Sequence, residues 1–239
     1  MSRVPEFSAT DQPGEIVAAA GEWLASELGD GFKYLRSKRE LTRKTTGRVE
    51  TFVLQTSTWS RTGQGTWVTV RITVRDDRVR KWQAEHLLVG MYSTEGFIFN
   101  SLITNMGLPD LELFGPLREG PEGHFISLKE LRDAVLGEIL AKLKILRGTP
   151  TVAAEQLPDS WIVFPEPPFW WATAYGERAA ATRFLSRYFE LKPGARIHFE
   201  SGRRLALESG SEPPSINNML VALGWSAVSS GALGADEPI

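Results

Sequence analysis

Five side chains carry the clearest chemical signal in this sequence: Trp59, Arg61, Trp67, Arg71 and Arg75. Arginines track phosphates or pair with carboxylates, and indole rings stack on bases. The charge around them is segregated. Residues 30–82 hold 13 Lys/Arg against 5 Asp/Glu, and the remainder holds 14 against 24. The net charge of −2 therefore hides a basic stretch and an acidic one. A basic face of this kind suits an acidic protein partner by charge complementarity. It also suits a nucleic-acid backbone. The plainest alternative is a solvated strand face, partly neutralised by the acidic remainder. The pI near 6.0 ranks a protein partner ahead of nucleic acid, whose binders are usually strongly basic.

Other chemistry is sparse. The absence of cysteine removes disulfides, thiol nucleophiles and Cys-ligated metal sites. His86, His124 and His198 fall in no two-histidine zinc spacing. There is no phosphate loop, no dinucleotide glycine fingerprint and no nucleophile elbow. No catalytic residue, metal site or cofactor is therefore expected, although a site assembled from distant residues leaves no mark in a single sequence. Trp161, Phe164, Phe169, Trp170, Trp171 and Tyr175 crowd a proline-rich stretch. They either line a groove or lay their rings over a core. Gln55, Ser57 and Trp59 share one strand face at i, i+2 and i+4, as a recognition patch or a cross-strand ladder.

The elements that must position these residues follow from periodicity. Ile16, Ala20, Trp23, Leu24 and Leu28 form one stripe of a helix near 12–28, with Asp11 as its cap and Pro13 in its first turn. Alternation then predicts strands near 32–37, 39–45, 48–57 and 66–75, with turns at Thr46-Gly47 and Gly63-Gln64-Gly65. Val68, Val70, Ile72 and Val74 point to one face, and Trp67, Thr69, Arg71, Thr73 and Arg75 to the other. One apolar and one polar face predict an antiparallel sheet covered on one side, with the first helix as the cover. A short helix from Asp76 and a strand around Phe97–Ile103 follow. Pro109, Gly115, Pro116, Gly120, Pro121 and Gly123 mark loops.

Ser127 to Glu130 is a capping box opening a helix over 127–147, stopped by Gly148 and Pro150. Beyond it the spacing predicts an extended aromatic loop at 158–171 and a helix at 176–191. A hairpin turning at Ser201-Gly202 and a helix at 215–223 ending on Gly224 come next. The tail from Ser226 is expected to fray. The expected fold is α+β: an antiparallel sheet covered by helices in 1–147, a smaller, mainly helical region in 148–225 and a tail in 226–239. No apolar run reaches the roughly 18–20 residues of a membrane span, and Met1–Pro13 lacks a leader pattern. The expectation is a cytoplasmic protein with no membrane partner.

The run from Gly31-Phe32 through Arg43-Lys44, Gln55-Thr56-Ser57-Thr58-Trp59 and Trp67-Val68-Thr69-Val70 resembles the bacterial domain-of-unknown-function 4304 family. The similarity covers about residues 15–75. It implies a leading helix followed by strands, and a bacterial origin. That family has no established reaction, so the resemblance implies no catalytic residues. Small α+β proteins of this sort also look like immunity proteins, which block a toxin by binding it. The functional expectation is a non-enzymatic protein-binding module of the immunity or antitoxin-like kind. Trp59, Arg61, Trp67, Arg71 and Arg75 are its candidate partner-binding residues. A nucleic-acid-associated protein and an enzyme with a scattered site are the alternatives.

Overall fold

Pro13 opens helix α1 (Pro13–Leu28), where its missing N–H removes a donor that would be unpaired anyway. The cap differs from expectation. Gln12 is the capping residue, and its N–H donates to Glu15 Oε2 at 3.3 Å. Asp11 instead turns back to accept from the Ser8 N–H at 2.8 Å. Gly29, Asp30 and Gly31 then take φ of 53°, 46° and 81°. Three left-handed residues in succession end the helix and turn the chain into the sheet.

The computed structural model describes residues 3–86, 95–115, 125–209, 218–234 and 237–239. Pro116, Gly120, Pro121, Gly123, His124 and the start of the expected 215–223 helix lie outside them. The described chain divides into two compact units. One is Met1–Val74 with Phe99–Arg147, and the other is Arg75–Ile98 with Gly148–Ile239.

The sheet is α+β in the expected sense: antiparallel, with helices before and after it. Its strands are β1 (Lys33–Leu35), β2 (Glu40–Thr45), β3 (Arg48–Thr56) and β4 (Thr66–Asp76). Helix α2 (Asp77–His86) follows, then β5 (Phe97–Leu102) and β6 (Leu111–Phe114). The hydrogen-bonded order is β1-β2-β3-β4-β5, with β6 pairing against the start of β4. Val68, Val70, Ile72 and Val74 are fully buried, as the alternation predicts. Leu41, Phe52 and Leu54 are buried with them. Helix α1 packs on β1, β2, β3 and β6. The Tyr34 ring of β1 presses on Gly21, where any Cβ would collide with it.

The capped helix at 128–146 is not continuous. It runs as α3 (Leu128–Ala134), a π-helical turn at Val135–Ile139, and α4 (Leu140–Leu146). The capping box is present: Glu130 N–H donates to Ser127 Oγ at 3.3 Å, and Ser127 N–H donates to Glu130 Oε2 at 2.7 Å.

In the second unit, α5 (Pro150–Gln156) precedes the aromatic stretch, which is largely helical rather than extended. A 3-10 turn (Asp159–Trp161) holds its start and helix α6 (Glu166–Ala174) its second half, with Pro167 and Pro168 in the first turn of α6, where no N–H is needed. Phe169, Trp170 and Trp171 are buried; Phe164 is exposed. Helix α7 (Arg178–Leu191) matches its expected span. The expected hairpin at Ser201-Gly202 is absent, because one helix, α8 (Pro193–Ser209), runs through it. Helix α9 (Met219–Ser229) places Gly224 in its interior, not at its end. A Cβ on Gly202 would overlap the Val221 carbonyl oxygen, and one on Gly224 the Phe199 carbonyl oxygen. These glycines mark the crossing of two helix backbones. Ser226 and Ala227, expected in a frayed tail, are buried in α9. No described helix is long and apolar enough to cross a membrane.

Candidate binding site at the basic end of the sheet

Strand β3 stops at Thr56, so Trp59 is not on a strand face with Gln55 and Ser57. It sits in the loop between β3 and β4, and that loop is pinned by short bonds. Ser57 N–H donates to the Trp67 carbonyl at 2.9 Å, and Ser60 N–H to the Ser57 carbonyl at 3.1 Å. Ser60 Oγ donates to the Trp67 carbonyl at 3.1 Å and accepts the Trp67 N–H at 3.0 Å. Arg61 and Gly65 exchange backbone bonds of 3.0 and 3.2 Å across the inner turn. Within this frame the Trp59 side chain is 77% exposed. Large rings are seldom left so far in water, because burying one removes 150–250 Å² from solvent.

A second turn reaches the same end of the sheet. Between β1 and β2 the chain reads Arg36-Ser37-Lys38-Arg39, all exposed. Arg39 has φ of 55°, a left-handed conformation that a non-glycine residue adopts only when its surroundings enforce it. The enforcing contacts are visible. The Arg39 carbonyl accepts from Leu54 N–H at 2.9 Å, and its Nη1 donates to Thr56 Oγ1 at 2.8 Å. Arg36, Lys38 and Arg39 in one turn, and Trp59 and Arg61 in the other, therefore lie at the same end of the sheet in the first unit. Burial pushes the nearby Tyr34 phenol up, and Arg39 pulls it the other way. Reading strands one at a time missed the first three cations. The signal was the three basic residues of the four-residue turn Arg36-Ser37-Lys38-Arg39, one strand pair away from Trp59.

The other three expected residues lie elsewhere on β4. Trp67 is half-buried beneath the loop; its Nε1 donates to Glu112 Oε1 at 3.0 Å and its ring meets Phe125 at 6.5 Å. Its role is to hold the loop from below. Arg71 follows on the same strand face, half-buried and with no ion-pair or hydrogen-bond partner among the described residues. Arg75, in the second unit, holds its guanidinium 5.9 Å from the Phe97 ring centre. At about 3.4 Å per residue the span from Trp67 to Arg75 is about 27 Å. The structure brings Trp59, Arg61 and Trp67 together, and leaves Arg71 and Arg75 progressively farther down the strand.

Most other charge in the first unit is tied up internally. Arg43 is 3% exposed and Glu50 1%. Arg43 donates from Nε to Glu50 Oε2 at 2.9 Å and from Nη1 to Asp30, while its guanidinium lies 4.2 Å from the Phe32 ring centre. Arg147 donates from Nε to Glu50 Oε1 at 2.7 Å, a bond that holds its proton more tightly than usual. Arg48 donates to the Leu146 carbonyl at the end of α4. With both Glu50 oxygens occupied, this cluster clamps strands, helix end and loop and offers no free group for chemistry.

The second unit holds one chemically unusual group. Glu166, in the first turn of α6, is 7% exposed, and its Oε1 has no hydrogen-bond partner among the described residues. Burial pushes its carboxyl up to about 7. The Tyr188 phenol is pushed up too, by its own burial and then by the Glu166 charge. A proton-transfer site needs a second group in hydrogen-bond reach, and no described side chain hydrogen-bonds to Glu166. Among the described residues no three His, Asp or Glu side chains gather as a metal-binding group. No family model matches the chain, and neither a curated protein nor a solved structure gives a significant match.

Proposed function

We propose that this chain is a non-enzymatic protein-binding module of the immunity or antitoxin-like kind, acting in the bacterial cytoplasm. The supporting observation is Trp59, held out in water by a loop whose backbone is locked before any partner arrives. Rigid display lowers the ordering cost of association. Tryptophan and arginine are also the residues most enriched where binding energy concentrates. The cations of the two turns at this end favour a partner whose surface carries carboxylates beside an apolar pocket.

The test is affinity capture from the native host, with and without nuclease, using wild type, Trp59→Ala and Arg39→Glu/Arg61→Glu. The expected result is one stoichiometric protein that survives nuclease, disappears with Trp59→Ala and weakens sharply with the charge reversals. Retention of that partner by Trp59→Ala would show that the tip is not the interface. Capture of nucleic acid, with binding that falls steeply as salt rises, would instead support the nucleic-acid reading of the same basic end.

A further inference from the structure

The outer face of the sheet contains a group of polar atoms that no described residue answers. Thr42 on β2 and Thr51 on β3 are paired directly in the strand register. Both hydroxyls are buried and neither has a hydrogen-bond partner among the described residues. Thr51 is 1% exposed although it points away from the apolar core face. In the antiparallel register that the Ser57–Trp67 backbone bond implies, Arg71 lies diagonal to Thr51 on this face. A diagonal neighbour is within reach of a long side chain. The Arg71 Nε is sealed from solvent and donates to none of the described residues.

Arg71 shares a sealed, unpartnered Nε with Arg75 and Arg203, but Arg75 lies over the Phe97 ring and Arg203 donates through its other nitrogens, whereas Arg71 has neither contact among the described residues. The buried Arg43, Arg48, Arg132 and Arg203 each donate to a carboxylate or a carbonyl. Glu40 also faces the outer side, across from Val53, and among the described residues no ion pair joins it to Arg71. Buried polar groups in native proteins almost always have partners. A partly desolvated guanidinium with no counter-charge is costly. An ordered water would satisfy the Nε–H but not the charge. One species answers all three orphans together: an oxyanion accepting from Arg71 and from both hydroxyls.

We propose that Thr42, Thr51 and Arg71 form a binding site for a small oxyanion, either a free ion such as phosphate or the phosphate end of a small ester. This goes beyond protein binding at the tip, and the two fail separately, because Trp59 belongs only to the tip.

The experiment is thermal unfolding and calorimetric titration with inorganic phosphate, and in a second arm with glycerol phosphate, against chloride at matched ionic strength. Wild type and Trp59→Ala should both gain melting temperature with phosphate beyond the chloride control. Arg71→Gln should weaken phosphate affinity by about tenfold or more, since a charge-assisted bond is lost. Thr51→Val should weaken it by a smaller factor while leaving the anion-free protein at least as stable, because it removes an unpaired hydroxyl. Should Arg71→Gln fold poorly, Arg71→Lys keeps the charge without the Nε–H and should still weaken affinity. Response to phosphate but not to the ester assigns the site to the free ion; response to both assigns it to a phosphate end group. A wild type responding only as to chloride, or an equal response in wild type, Arg71→Lys and Thr51→Val, overturns the proposal.

Discussion

The two units bury charge in opposite ways. In the first, Arg43 and Glu50 are sealed together, with Arg147 and Asp30 completing the set. In the second, Glu166 is sealed alone among aromatic helices. A paired carboxylate stays ionised and anchors what surrounds it; a lone one is forced toward its neutral form. The pair therefore fixes geometry, and the lone acid makes stability depend on pH. The sharpest way to break this contrast is to remove one member of the pair. Glu50→Gln removes the buried carboxylate that Arg43 and Arg147 share, leaves Arg43 with only the exposed Asp30, and should destabilise the protein by up to about 3–5 kcal/mol in urea unfolding. Replacing both partners, as Arg43→Met with Glu50→Leu, should recover much of that loss, since a well-packed apolar pair is often no worse. A double variant as unstable as the single would show that the cluster acts through Asp30 and Arg147 instead.

The lone carboxyl gives the next largest effect. Its ordinary value is 4.5, and burial raises it to about 7 in the fold. The unfolded chain therefore ionises first as pH rises. The contribution of the neutral form is fully present below 4.5 and drains away as pH climbs to about 7. At about 1.4 kcal/mol per unit, wild type should be less stable at pH 8 than at pH 4 by about 3 kcal/mol from this group. Glu166→Gln should flatten that segment of the stability curve. Parallel curves for wild type and Glu166→Gln would remove Glu166 as the titrating group.

A smaller effect separates the two units by what their sequences disclosed. The first unit was legible because alternation has only one reading in a sheet with one buried face. Val68, Val70, Ile72 and Val74 came out fully buried on that ground alone. The second was misread wherever glycine or proline served packing instead of turning. Ser201-Gly202 has hairpin chemistry, yet Gly202 is there because α9 passes too close for a side chain. Pro167 and Pro168 suggested a loop, yet they occupy the one helical turn that tolerates them. At the binding end, Trp59 and Arg61 were legible as residue types. Arg36, Lys38 and Arg39 were not, since their approach depends on how two hairpins align. Nor could the sequence show that Arg71 is unpaired, which is a property of burial. Gly202→Ala decides between the two readings of that glycine. In an open helix alanine would stabilise by about 1 kcal/mol. Against the Val221 carbonyl the overlap costs roughly 1–3 kcal/mol, so net destabilisation is expected.

The smallest expected change in stability belongs to the residue with the largest expected change in binding. Trp59 is mostly in water, and its loop is held by Ser57, Ser60, Arg61 and Gly65 through bonds that do not involve the indole. Trp59→Ala should therefore move stability by no more than about 0.5 kcal/mol, the usual range for surface positions. Ser60→Ala is the informative control, because it leaves the indole in place and removes the hydroxyl that ties the loop to Trp67. If binding relies on the indole being displayed rigidly, Ser60→Ala should weaken the complex with Trp59 still present. If it leaves binding untouched while Trp59→Ala abolishes it, the indole is needed but its rigid frame is not. Unfolding curves taken on the same preparations keep both variants interpretable. A large loss of stability in Trp59→Ala would mean that the ring props the loop, and would move it from the interface to the fold.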